Sequence, residues 1–504
     1  MRPRTTHFYN RLAFETLEAR ELLSGVTALL DHGLLTVTGA SDSSTEIHVW
    51  RQANRVLVDG VAGSFAVAQV QSIRVACGPS GDQTVDLGIG KASGQTALAR
   101  PVTVDSGSGN ETVQLGATSV YFAETGHQLA VTAKGTVRLD GAKLDWFDTH
   151  LQDAGIRWLA KTEYSDHVLG RADMLAIFGE VEQQGTVTAV ALGDLQAMAG
   201  YSALYSGVAY VQNLLAKVAL GNPANAHYQG EPLDNLAAGD SADHLEKLVD
   251  KWFLGLDHPD STVDNETYVY AEAKASLFPY APVYTDVRQG YVGDCYLMGG
   301  LAEIAMHDRS AIRNMFIVNG DGTYTVRFYN GRQADYVTVD SDVPADQGKY
   351  VFANQGQLLT DTTIALWAPL AEKAYAEINE EGWLRTNGSN SYASLDMGCP
   401  NDVYTEVTGL AAVGNLNLNK PANFTQFVNA YRAGDLQWFI SNDAPPSPLI
   451  GKTHVYAVVS YDASTRSVLV YNPWGIANGS KAAGLVWISW ADVKTNFSCW
   501  CRSK

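Results

Sequence analysis

Gln289-Gly290-Tyr291-Val292-Gly293-Asp294-Cys295-Tyr296-Leu297-Met298-Gly299-Gly300-Leu301-Ala302-Glu303-Ile304-Ala305 is the stretch on which the reading of this chain turns. Up to Cys295 the glycines break any regular element, and beyond it a run of small and apolar residues predicts a buried helix. Cys295 then begins that helix. There, unsatisfied backbone N–H groups and the helix dipole favour a thiolate and lower the thiol pKa. A lone cysteine is most often a small buried hydrophobe. The glycine-rich entry and the polar Gln289, six residues upstream, point instead to a nucleophile.

A thiol nucleophile needs a base, and only two histidines follow Cys295. His307 lies twelve residues along the same predicted helix, ~18 Å away, too far to help. His454 opens Thr453-His454-Val455-Tyr456-Ala457-Val458-Val459, a β-branched apolar strand. Val468-Leu469-Val470-Tyr471-Asn472 reads as the next strand, ending in Pro473-Trp474-Gly475. If the two pair antiparallel, Asn472 arrives beside His454, where its side-chain carbonyl can orient the imidazole. The chain order Gln, Cys, His, Asn matches papain-like geometry.

Four motifs in order then resemble the calpain family of cysteine proteases: Gln289-Gly290-x-x-Gly293-Asp294-Cys295; Leu366-Trp367 with Glu372-Lys373-Ala374-Tyr375-Ala376; His454-x-Tyr456-x-Val458; and Asn472-Pro473-Trp474-Gly475. The resemblance spans about residues 263–500. It implies an α+β papain-like core of two subdomains and a cysteine endopeptidase acting on protein or peptide substrates. It makes Cys295 the nucleophile, His454 the general base and acid, and Asn472 the residue that orients His454. Gln289 becomes an oxyanion donor, and Gly409 and Trp474 line the substrate cleft, with Trp474 covering the His–Asn hydrogen bond. The chemistry itself requires no cofactor. Calpain cores nevertheless bind calcium, and Asp286 matches one ligand of a first site. Ala365 stands where an acid is expected, and Ile476 to Trp490 holds no carboxylate for a second site. Thr453 replaces a glycine before the histidine, and the family's double glycine reads Thr408-Gly409. These departures predict a weak or absent calcium requirement.

Two other readings stand beside this one. A Cys-His acyl transferase would ordinarily carry Asp where Asn472 stands. A non-enzymatic surface or adhesion protein with an inactive protease-like domain would tolerate the altered calcium sites. The absence of GxSxG removes the simplest serine hydrolase. Gly451-Lys452-Thr453 is not a phosphate loop, because Pro446 occupies the place of its first glycine.

The remainder of the 504 residues divides by texture. Residues 1–25 form a targeting-like segment whose Leu17-Glu18-Ala19-Arg20-Glu21-Leu22-Leu23 resembles a motif at the start of exported bacterial proteins, which implies export or the cell envelope. Residues 26–140 alternate in period two and predict a β-rich accessory domain, a solenoid or a sandwich. Within it, Ile73-Arg74-Val75 and Thr84-Val85-Asp86-Leu87 echo Val102-Thr103-Val104 and Thr112-Val113-Gln114-Leu115. The turns resemble calcium-binding glycine/aspartate repeats, but Gln83 and Glu111 replace the key acid. Residues 145–256 predict a helical domain. Leu195 to Ala216 is charge-free but carries too many polar residues and glycines for a membrane span, and reads as a core helix. Asp257 to Asp264 reads as a linker, leaving 263–504 as the catalytic domain. A net charge of −19 with no Lys/Arg-rich run argues against nucleic acid as a partner. Five cysteines without CxxC pairs make neither a disulfide framework nor a zinc site.

Overall fold

The computed structural model describes residues 25–39, 46–78, 83–88, 95–96, 98, 100, 102–105, 111–115, 120–124, 127–131, 135–139, 145–385, 388–418, 423–475 and 484–504. The Leu17–Leu23 motif lies outside them. The chain is multidomain and α+β: β sheets come first, helices in the middle, and a mixed region last. It divides into two compact units, 1–150 and 151–504.

In the first unit the echo seen in the sequence is a structural register. Ile73, Arg74 and Val75 pair in parallel with Val102, Thr103 and Val104. Thr84 to Leu87 pair in parallel with Thr112 to Leu115 in a second sheet. Successive strands Ser72–Ala76, Thr84–Leu87, Val102–Asp105 and Glu111–Leu115 thus alternate between two sheets. Val37, Val75 and Val104 of one sheet share a dry core with Ile47, Val85 and Val113 of the other, as period-two alternation requires when one face is buried. Gln83 is buried, and its Oε1 accepts the Gly78 N–H at 3.0 Å, so it serves a turn.

The second unit opens with helices Ala154–Glu163, Arg171–Gln183, Ala189–Ala199, Ala209–Ala219 and Ala242–Val249. Asp153, Thr188 and Ser241 cap three of them through their side-chain oxygens. The Leu195–Ala216 stretch is not one helix. It spans the end of Ala189–Ala199, a 3-10 turn at Ser202–Tyr205 and the start of Ala209–Ala219. Gly207, at φ 81°, takes a conformation that ends helices cheaply. Among the described residues no helix is long and apolar enough to cross a membrane.

Asp257–Asp264 is not a slack linker either. The Asp257 carboxylate is buried against Lys251, and the Tyr392 N–H donates to Asp260 O at 3.0 Å. Three cations of the helical segment in fact reach into the mixed region. Arg171 pairs with Asp321 at 2.6 Å. Lys217 meets Asp335 at 2.8 Å and Glu381 at 2.5 Å, and donates to Tyr336 O at 2.6 Å. Lys251, fully buried, pairs with Asp257 and with Glu380 at 2.6 Å, and donates to His227 O at 3.0 Å.

The mixed region has a helical half and a sheet half. The sheet half is a six-stranded sheet, ordered Val413–Asn417, Phe497–Arg502, Gln437–Ser441, Val455–Asp462, Ser467–Asn472, Gly484–Ser489. Its core is aromatic, with Phe427, Phe439, Tyr456, Trp490 and Trp500 packed together. The helical half centres on Cys295–His307, whose residues from Tyr296 to Ala305 are all buried. A helix covered on every side must be apolar all round. It must also be thin where neighbours press: a Cβ on Gly299 would lie 2.8 Å from Val455 Cγ1, and one on Gly300 2.7 Å from Val403 Cγ1.

Removing one partner of a buried ion network leaves the others charged and unsolvated, which costs about 3–5 kcal/mol. Lys251→Met in the full chain is therefore expected to lower unfolding free energy by that amount in guanidinium titrations. A change below about 1 kcal/mol, as for an exposed pair, would show that the helical segment is not anchored through this lysine.

Candidate active site

Cys295 is the first residue of its helix, with Asp294 as N-cap and the Leu297 and Met298 N–H groups bonded to Asp294 O. The Cys295 N–H belongs to the first turn, which has no preceding helical carbonyl to accept it. The loop before it is fixed by close approach. A Cβ on Gly290 would sit 2.3 Å from the backbone Val351 O, which excludes a side chain there, and one on Gly293 would displace the Asp396 carboxylate, 1.9 Å away. Gln289 N donates to Pro473 O at 2.7 Å, and Tyr471 Oη donates to Val287 O at 2.7 Å. These bonds tie the loop to the turn after Asn472.

On the other side, Val455–Asp462 pairs antiparallel with Ser467–Asn472, with Ala457 opposite Tyr471. Continuing that register sets Asn472 opposite Tyr456, and period two puts His454 on the Tyr456 face. His454 Nε2 and Asn472 Oδ1 are 2.7 Å apart. Trp474 stands over the pair, its ring centroid 4.6 Å from that of His454. Its backbone N–H donates to Asn472 Oδ1 at 2.9 Å. Gly299, one turn into the Cys295 helix, packs directly on Val455, the residue after His454, so helix and strand meet. Gln289 lies in the same group: its Nε2 donates to Val292 O at 2.8 Å, which engages one of its two amide hydrogens.

Electrostatics here depart from the expectation drawn from the helix dipole. Burial pushes the Cys295 thiol up to about 11, with the Asp294 and Asp396 carboxylates adding to it. Backbone N–H groups of Val455 and Tyr296 pull the other way but do not win. Burial also presses His454 down to about 4, against the Asn472 hydrogen bond. The resting pair is thus neutral thiol and neutral imidazole. Dehydration outweighs the dipole, with His454 buried and Cys295 half-buried.

Four neighbours carried no role in the sequence reading. The Tyr456 hydroxyl accepts Asn472 Nδ2 at 3.2 Å and the Gly451 N–H at 2.7 Å. The Ser441 hydroxyl accepts the His454 N–H at 2.8 Å and donates to Gly451 O at 2.6 Å. Glu372 and Asp294 are buried facing one another: burial holds Asp294 up at about 7, and Glu372 is raised well above the carboxylate range by burial and by Asp294. Period two on the strand, His454-x-Tyr456, could have signalled the first of these.

The sequence pattern of the calpain family cysteine protease matches residues 270–498. The chain is 25% identical over 210 residues to the calpain-2 catalytic subunit of Gallus gallus, and 24% to that of Homo sapiens. It is 25% identical over 211 residues to calpain-8 of Mus musculus. Each match covers 38% of this chain and 28% of the relative. Residues 270–498 are a calpain family cysteine protease domain.

Other residues singled out by the calpain resemblance lie apart from this group. Gly409 ends helix Pro400–Thr408 at φ 71°, packed on the Tyr329 ring, and the structure brings it to neither Cys295 nor His454. Thr453, in the place of a calpain glycine, keeps the left-handed backbone at φ 47°, a strained position for a β-branched residue. Asp286 does not fit a calcium ligand. Its oxygens already accept Tyr280 Oη at 3.0 Å, Val283 N at 2.9 Å and Trp367 Nε1 at 2.8 Å. The ~400 Å³ cavity beside it is lined by Arg288, Asn354 and Ala365, bringing a cation where calcium would need further carboxylates. Much of the second site falls on residues 476–483, outside the described residues. Among the described residues one acidic and histidine cluster, His258, Asp340 and Asp342, is tight enough for a metal. Lys373 fills it, bonding to Asp340 Oδ1 at 2.5 Å and Asp342 O at 2.8 Å.

Only thiolate alkylates, and its fraction grows ~10-fold per pH unit below the pKa. The alkylation rate of Cys295 by iodoacetamide, followed on its tryptic peptide, is expected to climb steadily from pH 7 toward pH 10. A rate already level below pH 7 would mean a preformed thiolate–imidazolium pair.

Proposed function

We propose that the chain is a cysteine endopeptidase that hydrolyses peptide bonds with Cys295 as nucleophile, His454 as general base and acid, and Asn472 holding the imidazole. The observation that carries this reading is the packing of the Cys295 helix on Val455, next to the 2.7 Å His454–Asn472 contact. The calpain family acts on proteins, and protein or peptide substrates are proposed here on that ground.

The neutral resting pair shapes the mechanism. As the substrate carbonyl approaches, the Cys295 proton passes to His454 Nδ1 while sulfur attacks, so charge separates only when the oxyanion forms. The Cys295 N–H and the second amide hydrogen of Gln289 receive that oxyanion. His454 then gives its proton to the departing amine, leaving a thioester. A water molecule, deprotonated by His454, hydrolyses the thioester and regenerates the thiol. Asn472 keeps Nδ1 toward sulfur throughout, and Trp474 keeps water from competing for the Asn472 carbonyl. We read the two alternating sheets of the first unit as a solenoid-type scaffold without a part in the chemistry.

In a peptidase assay on an unfolded protein such as casein, Cys295→Ala is expected to abolish turnover and Cys399→Ala to retain it. His454→Ala should cost ~10²–10⁴-fold, and Asn472→Ala considerably less, since Asn472 moves no proton. Activity surviving in Cys295→Ala and lost in Cys399→Ala would move the nucleophile elsewhere.

Calcium is expected to be dispensable. Full-length protein stripped with chelator should keep most of its peptidase rate, and adding calcium should change it less than 2-fold. Steep activation at micromolar calcium would show that ligands other than Asp286 build a site. The full chain is the right sample, because the buried cations of the helical segment complete the same unit.

A further inference from the structure

The open side of Cys295 is marked by alternating exposure along the loop before it. Tyr291 and Gly293 are exposed and Cys295 is half-buried, whereas Gln289, Val292 and Asp294 are buried. His454 and Asn472 are buried as well. A substrate carbonyl therefore comes to the thiol across the face that Tyr291 and Gly293 present.

A carboxylate lies on that face. Asp396 Oδ1 stands 1.9 Å from where a Gly293 Cβ would be, so it occupies the space that the glycine leaves. The Met397 N–H donates to Gly293 O at 3.2 Å. Gly398 packs so closely on the Tyr296 ring that a Cβ would lie 2.5 Å from it. Arg385 grips the same loop, donating to Asp396 O at 2.9 Å, to Met397 O, and to Tyr296 Oη at 2.5 Å. Its guanidinium is engaged by carbonyls and a phenol rather than by the acid. Among the described residues the exposed Asp396 carboxylate joins no hydrogen bond and no ion pair.

We propose that Asp396 is a specificity-determining residue that selects Arg or Lys in the substrate next to the scissile bond. The inference rests on the protease reading, with Cys295 as nucleophile. The cationic head of the substrate residue bonds to the Asp396 carboxylate, a charge-assisted contact that a neutral side chain cannot make. Met397 and Tyr291, each 59% exposed, supply apolar surface for the methylene stem.

Selection works by repulsion as well as attraction. An acidic side chain in the same place faces a like charge and gains no partner. The net charge of −19 acts in the same direction at longer range, drawing basic segments and turning acidic ones away. Because the loop is held by Arg385, Gly293 and Tyr296, the carboxylate is in place before substrate arrives, and little ordering is left to oppose binding.

The test uses the full chain and fluorogenic peptides that differ in one residue, Arg, citrulline or Glu, placed in turn at each position around the scissile bond. Citrulline keeps the shape of Arg without its charge. At a position adjacent to the bond, kcat/KM is expected to be ~10-fold higher for Arg than for citrulline, the worth of one charged hydrogen bond, and lowest for Glu. The ratio should shrink in about 1 M salt and fall below about 2 in Asp396→Asn, and Asp396→Lys should reverse the order of Arg and Glu. A wild-type ratio near one at every position, or a ratio that Asp396→Asn leaves intact, would overturn the proposal, and the wild-type comparison stands whether or not a variant folds. A second readout needs no turnover: labelled Arg and citrulline peptides are titrated with Cys295→Ala protein and followed by fluorescence polarisation. The Arg peptide should bind ~10-fold tighter and lose that advantage when Asp396→Asn is added. Tighter Arg binding without turnover of any peptide by the wild type would sink the protease reading and keep Asp396 as a cation site. Turnover without the Arg advantage would sink the specificity proposal alone.

Discussion

The close contact between Gly299 and Val455 governs the catalytic region. A side chain on Gly299 would meet Val455 Cγ1 at 2.8 Å, so only glycine lets the Cys295 helix lie directly on the strand that follows His454. One turn further along, the buried Glu303 carboxylate accepts the Gln437 N–H at 2.7 Å. Trp438 Nε1 donates to Gly299 O at 3.0 Å. These bonds fix how far along the sheet the helix sits, and with it the position of Cys295 against Val455. Two halves built from different stretches of chain are thereby held in one alignment by packing and hydrogen bonds.

Such close packing has an electrostatic cost. Excluding water raises Cys295 to about 11 and lowers His454 to about 4, so each favours its uncharged form. The same dryness lets a hydrogen bond such as His454–Asn472 hold its geometry without competition from solvent. Charge is then separated at the moment it is stabilised by oxyanion donors, rather than stored in the resting protein. The carboxyl pair Asp294 and Glu372 follows the same logic, since two buried acids in contact cannot both ionise.

The helical segment belongs to the same physical unit. Arg171, Lys217 and Lys251 place their charges among carboxylates and carbonyls of the mixed region, and Lys217 also lies 4.5 Å from the Trp252 ring centroid. Charges so deeply buried are tolerable only with every partner in place. An extension joined this way is part of the protease unit rather than a tethered neighbour. Within the mixed region the Asp286 oxygens accept three protein donors, which ties Tyr280, Val283 and Trp367 to one carboxylate.

What could be read from the sequence was local and periodic. Glycines before Cys295 marked a loop, the apolar run after it a helix, and alternation around His454 and Asn472 a pair of strands. Those patterns express steric and burial rules that act within a few residues. The repeat in the β-rich domain was legible for the same reason, because stacked strands bury equivalent positions. The break at Gly200–Gly207 shows where a charge-free composition misled: hydropathy does not register a positive φ. Tertiary structure alone decided the rest. The thiol pKa followed from what encloses Cys295, not from its place on a helix. The buried Lys251–Glu380 pair joins residues 129 positions apart. Desolvation and long-range contact depend on which surfaces meet, and no local pattern encodes that meeting.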